Sequence, residues 1–432
     1  MVKKIACFLI CLSSVLWTSG CTYSPDQKLN PAEAKSVKIR MSIRGDDDRK
    51  TQYEKMARQF MSLYPGIKVE LISIPVRDYQ NKLSIMVASK TAPDVVTLTE
   101  RMIPQFIHNE DLVDLSEFRT DPDYDFQDIL PSMLEIYEQR GGLYGIPFSV
   151  GPRPLFFNKS LFKEKGLKTP LELLQEGRWT YEEMAKLAKQ LSDSSKGIYG
   201  IRLFPDWKNW ANSLIDLIWA YGADVFDREN KRFVLNSPEG IQALEYYSRL
   251  VFKDKSHVKP GEMISFESGK LAMYRDNPAY MATARNIKNF DWDIAPMPSG
   301  PKADAPLATG LAGYSVIKDS PHMKEAVLFV KYMTSKQGMT DQLDWFIPPR
   351  KSVLESDIFL SQAAPPSPEG LRQTIIEPIK TRLRVIPNHY RWQEIDTKMQ
   401  SLFDLVQTGE RSIPDILAQM EIEVGPLLKS EE

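Results

Sequence analysis

Few residues of this sequence could carry covalent or metal chemistry, and they show no known catalytic spacing. No Gly-x-Ser-x-Gly, Gly-x-x-x-x-Gly-Lys-Ser/Thr or His-Glu-x-x-His motif occurs. The four histidines lie far apart, at positions 108, 257, 322 and 389. Asp121, Asp123 and Asp125 mimic the start of a calcium loop, but Phe126 stands where such a loop needs glycine. These patterns predict no metal, no cofactor and no enzyme. A carboxylate pair for glycoside hydrolysis remains an alternative, because the distance between two carboxylates in space determines whether they can act together.

The three cysteines lie at positions 7, 11 and 21, so the rest of the chain can form no disulfide and no thiolate site. Lys3 and Lys4 precede an apolar run over 5–17, which is short for a membrane span but typical of a secretory signal. Small residues then lead to Cys21 in a pattern that resembles a bacterial lipobox, with Thr18 in place of the usual Leu. We expect a lipoprotein signal peptide over 1–20, a lipidated Cys21 and a tether over 21–36. The alternative is a signal that is not cleaved or not lipidated.

A diacylated Cys21 would hold the protein on the extracytoplasmic face of the cell membrane, because stable anchoring takes more than one acyl chain. The composition of the 432 residues, 42% hydrophobic and 26% charged, is that of an ordinary globular protein. The net charge is −2, so no basic excess predicts binding to nucleic acid.

The polar and apolar pattern predicts alternating strands and helices. Residues 37–43 and 67–74 alternate as strands, 53–64 and 78–89 have helical spacing, and 94–98 is a short buried strand. This βαβαβ order predicts an α/β fold with a parallel sheet.

The alternation resumes in the second half of the chain. Thr180 and Glu183 form a capping-box pattern, and Ser237 followed by Pro238 predicts another helix start. Further strands are predicted over 155–157, 197–203, 291–295 and 313–317, and further helices over 210–221, 321–333, 392–407 and 413–428.

Ten short segments then stand in a recognisable order. They are residues 64–70 (YPGIKVE), 92–96 (APDVV), 143–148 (LYGIPF), 156–159 (FFNK), Phe162, 179–183 (WTYEE), 235–239 (LNSPE), 266–273 (FESGKLAM), 295–298 (APMP) and 409–413 (GERSI). In this order they resemble family 1 of the extracellular solute-binding proteins, the maltose-binding-protein-like sugar-binding lipoproteins of ABC importers. The resemblance covers nearly all of residues 37–428.

This resemblance implies a two-lobe periplasmic-binding-protein fold of type II with three crossings between the lobes. Lobe one would contain residues 37–147 and 307–347, and lobe two would contain 149–305 and 350–428. The crossings would lie near 148–151, 305–307 and 348–351, each of which carries Gly or Pro. The ligand would bind between the lobes, at the carboxyl ends of strands.

A sugar-binding cleft needs aromatic rings for the C–H faces and planar polar groups for the hydroxyls. The resemblance places these candidates in its loops: Arg44, Asp46, Asp47, Glu100, Arg153, Trp207, Trp210, Asn212, Asp276, Asn277, Tyr280, Gly313, Tyr314, Trp345, Tyr390 and Trp392. Asp46 and Asp47 could instead stabilise a helix N-terminus. Trp207 and Trp210 share one helical face, and one of them would lie in the core.

Arginine is frequent near the expected cleft loops, at positions 44, 101, 153, 275 and 350. A guanidinium can bind a carboxylate with two parallel hydrogen bonds, so an acidic oligosaccharide is an alternative to a neutral one.

The resemblance implies a monomeric receptor that captures a carbohydrate, in the simplest case an oligosaccharide, and delivers it to ABC permease subunits. Lobe closure on the ligand would be the mechanism, without turnover. Two alternatives stay open, a secreted glycoside-active enzyme and a sensory accessory of a membrane kinase.

Overall fold

A computed structural model describes residues 36–45, 47–204, 210–259, 261–361 and 365–429. The predicted signal peptide and Cys21 lie outside these ranges, as do Asp46 and Trp207. Within the described ranges, no helix has both the length and the apolar character needed to cross a membrane.

Strands and helices alternate along the chain, as the pattern predicts. The strands are β1 (Val37–Arg44), β2 (Ile67–Ile74), β3 (Val95–Thr99), β4 (Glu138–Gln139), β5 (Gly142–Leu143), β6 (Ile146–Pro152), β7 (Leu155–Asn158), β8 (Tyr199–Arg202), β9 (Leu271–Arg275), β10 (Trp292–Ala295), β11 (Leu307–Val316) and β12 (Leu383–Val385). The helices are α1 (Asp47–Leu63), α2 (Tyr79–Ala88), α3 (Ile103–His108), α4 (Lys159–Glu164), α5 (Pro170–Gln175), α6 (Tyr181–Leu191), α7 (Trp210–Ala220), α8 (Pro238–Ser248), α9 (Tyr280–Ala284), α10 (Met323–Met333), α11 (Lys336–Thr340), α12 (Lys351–Leu354), α13 (Asp357–Leu360), α14 (Pro368–Leu371), α15 (Glu377–Thr381), α16 (Trp392–Thr408) and α17 (Ile413–Val424).

Lobe one is built on a mixed sheet in the order β12-β11-β3-β1-β2, with β6 paired to β11. β1 runs parallel to β2 and β3, which confirms the predicted βαβαβ unit. β11 runs antiparallel to both β3 and β6. It begins at Leu307, six residues before the predicted strand, because its first residues pair with β12. The helices α1 and α10 cover this sheet.

Lobe two is built on a sheet in the order β10-β7-β9-β8. Adjacent residues of β7 point to opposite faces. Phe156 packs against Phe266 and Trp292 on one face, whereas Phe157 packs against Phe162 on the other. Both faces are therefore covered, and α16 and α17 pack together on the core that contains Phe157.

The chain passes from lobe one to lobe two between β6 and β7, and it returns between β10 and β11. The third passage was predicted near 348–351. In the structure Arg350 pairs with Ile129 of lobe one, and farther along Ser367 N donates to Asp293 of β10 in lobe two. β12 then joins the first sheet before the chain continues into α16. The short helices between 351 and 381 were not predicted, because four- and five-residue helices carry no detectable period.

Two predicted helix starts show the expected caps. The Ser237 hydroxyl accepts a hydrogen bond from Gly240 N, and the Thr180 hydroxyl accepts one from Glu183 N. The Glu183 carboxylate does not complete the predicted box and lies near Arg178 and Lys186 instead. A complete capping box occurs at Thr169 and Glu172.

Candidate functional site

A cavity of about 410 Å³ lies between the two lobes. The carboxyl ends of three strands reach it, with Arg44 ending β1, Glu100 following β3 and Arg275 ending β9. The first turn of α7 and the facing parts of β6 and β11 form the rest of its wall, together with the segment Trp345 to Ile347. This is where α/β sheets place ligands, since successive loops converge at that edge.

Glu100 is fixed on the lobe-one wall by a reciprocal contact with β11. Its backbone N–H donates to Leu311 O at 3.1 Å, and its carboxylate accepts from Leu311 N at 2.9 Å. The residue is only 6% exposed. One carboxylate oxygen of Glu100 is thus hydrogen-bonded to the backbone of β11.

The lobe-two wall contains a buried ion pair between Arg275 and Asp216 of α7. Arg275 also donates to the carbonyl of Asn212, and Asp216 accepts from the backbone N–H of Ala308 on β11. Next to the pair, Asp276 accepts from the Tyr274 hydroxyl at 2.7 Å and from Asn277 N at 2.6 Å. Burial raises the pKa of the Asp276 carboxyl.

Aromatic rings form a further part of the wall. Trp345 and Phe346 line the cavity, and the Arg49 guanidinium lies 5.0 Å and 4.8 Å from their ring centres. Tyr53 lines it as well, and its hydroxyl lies 3.0 Å from that of Tyr314. The cavity therefore offers apolar faces beside charged planar groups, as a sugar requires.

Seven predicted site residues line the cavity. They are Arg44, Glu100, Arg153, Asn212, Asp276, Asn277 and Trp345. Asp46, Trp207 and the side chain of Asp47 lie outside the described residues.

Six other predicted site residues do not line the cavity. Trp210 is buried in the lobe-two core, with its ring against Trp392 and Phe403. Trp392 is buried in the same cluster, and its ring lies near Arg101.

Tyr390 stacks on His108 at 4.3 Å, and Tyr280 packs on Phe156 and Tyr274. These contacts occupy faces of the two tyrosine rings.

The buried Tyr314 stacks on Phe148 at 4.0 Å. At Gly313, an added Cβ would lie 2.1 Å from the Tyr137 hydroxyl, so this glycine serves packing beside the cavity.

Several lining residues were not among the candidate site residues, although Arg101 and Arg275 were expected near the cleft as arginines. They include Arg49, Tyr53, Thr97, Thr99, Arg101, Phe148, Ser149, Ser213, Arg275, Gly310 and Phe346. A period-2 signal could have found three of them, because Thr97, Thr99 and Arg101 alternate along and just beyond an otherwise apolar strand. Tyr53 carries no such signal, since its helical spacing is that of a core residue.

Arg350 was considered as a guanidinium near the cleft, but it belongs to the lobe-one core. It is 1% exposed and donates to the carbonyls of Tyr124, Asp125 and Thr334 at 2.8–2.9 Å. Across the described ranges, no group of three or more His, Cys, Asp or Glu side chains could hold a metal ion.

Comparisons with known proteins agree with this architecture. The chain is 21% identical over 421 residues to a putative binding protein of Brucella abortus, covering 92% of this chain and 95% of that one. It is 21% identical over 359 residues to a multiple sugar-binding protein of Streptococcus mutans, covering 78% of each chain. An ABC substrate-binding protein from Listeria monocytogenes, solved in complex with cycloalternan, superposes with a TM-score of 0.81 at 22% identity, covering 91% of this chain and 99% of that one.

These structural neighbours confirm the predicted two-lobe α/β fold. The model of the bacterial extracellular solute-binding protein family matches residues 46–340, about two thirds of the chain. The resemblance deduced from the ten segments is therefore confirmed, and the chain belongs to the bacterial extracellular solute-binding protein family.

Proposed function

We propose that this protein captures a carbohydrate in the interlobe cavity and delivers it to an ABC importer. The observation that carries the proposal is the wall of that cavity, which contains both the Trp345 ring and the planar polar groups of Asn212, Glu100 and Arg153. Rings cover the C–H faces of a sugar, while amides, carboxylates and guanidiniums pair with its hydroxyls. The sugar-binding relative of Streptococcus mutans and the cycloalternan complex from Listeria monocytogenes support this ligand class.

The mechanism is a shift between open and closed arrangements of the lobes. Groups from both lobes line the cavity, Glu100 from lobe one and Asp276 from lobe two. A ligand that touches both stabilises the closed arrangement by its differential affinity. A dissociation constant of about 1 μM, which corresponds to about −8 kcal/mol, suffices for scavenging.

The protein acts without turnover in this proposal. The two carboxylates that line the cavity, Glu100 and Asp276, both accept hydrogen bonds from neighbouring groups of the fold. Incubation with an oligosaccharide panel should release no shorter sugar. Release of monosaccharide would favour the alternative of a secreted glycosidase.

The membrane attachment is a separate part of the proposal. Cys21 would carry the lipid anchor and hold a monomer near its permease. Labelling of cells with an alkyne palmitate should mark the wild-type protein, whereas Cys21→Ser should lose the label and appear in the medium. An unlabelled wild-type protein would contradict the anchor.

A thermal-shift screen of neutral and acidic oligosaccharides tests the ligand class, because a bound ligand raises the apparent unfolding temperature by mass action. Each hit should then give a one-to-one stoichiometry by calorimetry. A screen in which amino acids, peptides or polyamines bind and no saccharide does would contradict the proposal. Neighbouring genes for permease subunits would favour the transport function. Neighbouring genes for a membrane kinase pair, without permease genes, would favour the sensory alternative.

A further inference from the structure

The described side chains around the cavity carry an excess of positive charge. Five arginines line it, and so do two carboxylates, those of Glu100 and Asp276. Two further carboxylates pair with arginines of the wall, Asp216 with Arg275 and Asp396 with Arg101. The described wall of the cavity is therefore rich in guanidinium groups.

Arg153 forms no ion pair with a described carboxylate, although Glu100 and Asp216 lie near enough to attract its charge. Its Nε is buried and forms no hydrogen bond in the described part of the chain. The two described carboxylates of the wall form no ion pair with it and attract it only at longer range. Glu100 accepts from Leu311 N instead, and Asp276 accepts from the Tyr274 hydroxyl and from Asn277 N. A buried cation without a partner destabilises the fold, and a site keeps one where a ligand supplies the missing charge.

The position of Arg153 is defined by the backbone of β11. Its Nη2 lies 3.2 Å from the point where a Cβ would stand at Gly310, so the glycine lets the guanidinium approach the strand. Burial and then the neighbouring Arg275 lower the pKa of Arg153 to about 10, which leaves the group charged at neutral pH. The charged form is thus held in an unfavourable environment that an anion would relieve.

We propose that the cavity recognises an acidic saccharide, and that Arg153 binds the carboxylate of a uronic acid unit while Arg44 faces it from the end of β1. A guanidinium and a carboxylate match as two parallel hydrogen bonds. The single guanidinium of Arg153 matches one carboxylate better than the two negative charges of a phosphate monoester. This inference rests on the proposed function, because it names the class of saccharide for the same site.

The test uses matched pairs of oligosaccharides that differ only in charge. An oligogalacturonate, an oligoglucuronate and an aldouronic acid are each compared by calorimetry with their carboxyl-reduced neutral counterparts, and a phosphorylated and a sulfated oligosaccharide serve as further arms. We expect at least one acidic probe to bind about tenfold or more tightly than its neutral counterpart. Arg153→Gln should remove most of that difference. Arg232→Gln, at an exposed ion pair on the surface, should not change it.

Arg44→Gln provides a second variant, because Arg44 is exposed and its replacement leaves the buried wall intact even if Arg153→Gln fails to fold. It should also reduce the preference for the acid. Neutral probes that bind as well as acidic ones would overturn the acidic-saccharide inference and leave the proposed function standing. Preference for the phosphorylated or sulfated probe would overturn the carboxylate assignment. Binding of none of the saccharides would overturn the proposed function itself.

Discussion

Arg101 Nη1 and Asp396 Oδ2 lie 3.6 Å apart across the two lobes. Arg101 follows β3 of lobe one and lines the cavity, whereas Asp396 belongs to α16 on the lobe-two core. Asp396 also accepts from Trp210 Nε1 at 2.9 Å. A charge pair therefore joins the two lobes at the edge of the cavity.

Asp396→Asn should weaken ligand binding through faster dissociation. The amide keeps an acceptor for Trp210 but loses the attraction to Arg101, which for a partly exposed pair contributes up to about 1 kcal/mol, or roughly fivefold. Stopped-flow dissociation kinetics with any ligand from the screen measure the change. Glu394→Gln is the matched control, since Glu394 lies in the same helix and pairs locally with Arg391. Equal effects of the two variants would show that the pair does not hold the lobes together.

Trp345→Ala should weaken saccharide binding by about 1–2 kcal/mol, because the indole is the largest ring among the described residues that line the cavity and a truncated aromatic anchor costs about that much. Trp345→Phe should recover part of the loss. Phe252→Ala, at an exposed ring outside the cavity wall, is the control. If calorimetry gave Trp345→Ala the same affinity as the control variant, Trp345 would not contribute to ligand binding.

Arg350→Lys should destabilise the protein by about 3 kcal/mol and leave ligand affinity unchanged. The guanidinium donates to three carbonyls at once, and the Arg350 side chain is almost fully buried, so an ammonium leaves acceptors without partners. Urea unfolding gives the free energy. Lys351→Gln, at the exposed neighbouring position, should stay within about 0.5 kcal/mol of the wild type. If Arg350→Lys lowered the unfolding free energy by only about 0.5 kcal/mol, the three hydrogen bonds of Arg350 would not be needed for stability.

The stability of the protein should fall as the pH drops from about 6.5 to 4, partly through His257. Burial lowers the pKa of the His257 imidazole to about 4. Its Nε2 accepts from Leu203 N, and its Nδ1 lies 2.7 Å from Val258 O. The unfolded chain takes up a proton below about 6.5 and the folded chain resists it, so the full stability is present above that pH. The loss is of the order of 3 kcal/mol by pH 4.

The measurement for His257 is the difference in unfolding free energy between pH 7 and pH 4.5. His257→Gln should shrink this difference, because the titrating group is gone, although the variant is less stable at pH 7. His322→Gln, at a partly exposed position in lobe one, should keep the wild-type difference, since His257 lies beside β8 in lobe two. An unchanged difference in His257→Gln would assign the pH dependence to other groups.

Sequence patterns predicted the sheet-forming segments well because their signals are local. β1 alternates apolar and polar residues over its eight positions, β2 alternates over its first five, and α16 shows a long helical period. β12 has three residues and depends on its pairing with β11, a contact between distant parts of the chain. No local pattern could have predicted it.

The cavity was predicted less completely, because burial depends on neighbours that are distant in sequence. Strand ends such as Arg44 and Glu100 follow from topology alone, and they line the cavity as expected. Trp210 and Trp392 have the residue type of a stacking platform, but each covers the other in the core. The roles of all these residues in ligand binding stay predictions.

Asp216 joins three elements through one carboxylate, since it lies on α7, pairs with Arg275 at the end of β9 and accepts from Ala308 at the start of β11. Ala308 lies just after the second passage between the lobes, and α7 carries Asn212 and Ser213 at the cavity wall. Rotation about this connection must therefore move the wall or break the bonds of Asp216. A single side chain thus connects the second passage between the lobes to the wall of the cavity, so a rotation of the lobes there would be transmitted to that wall.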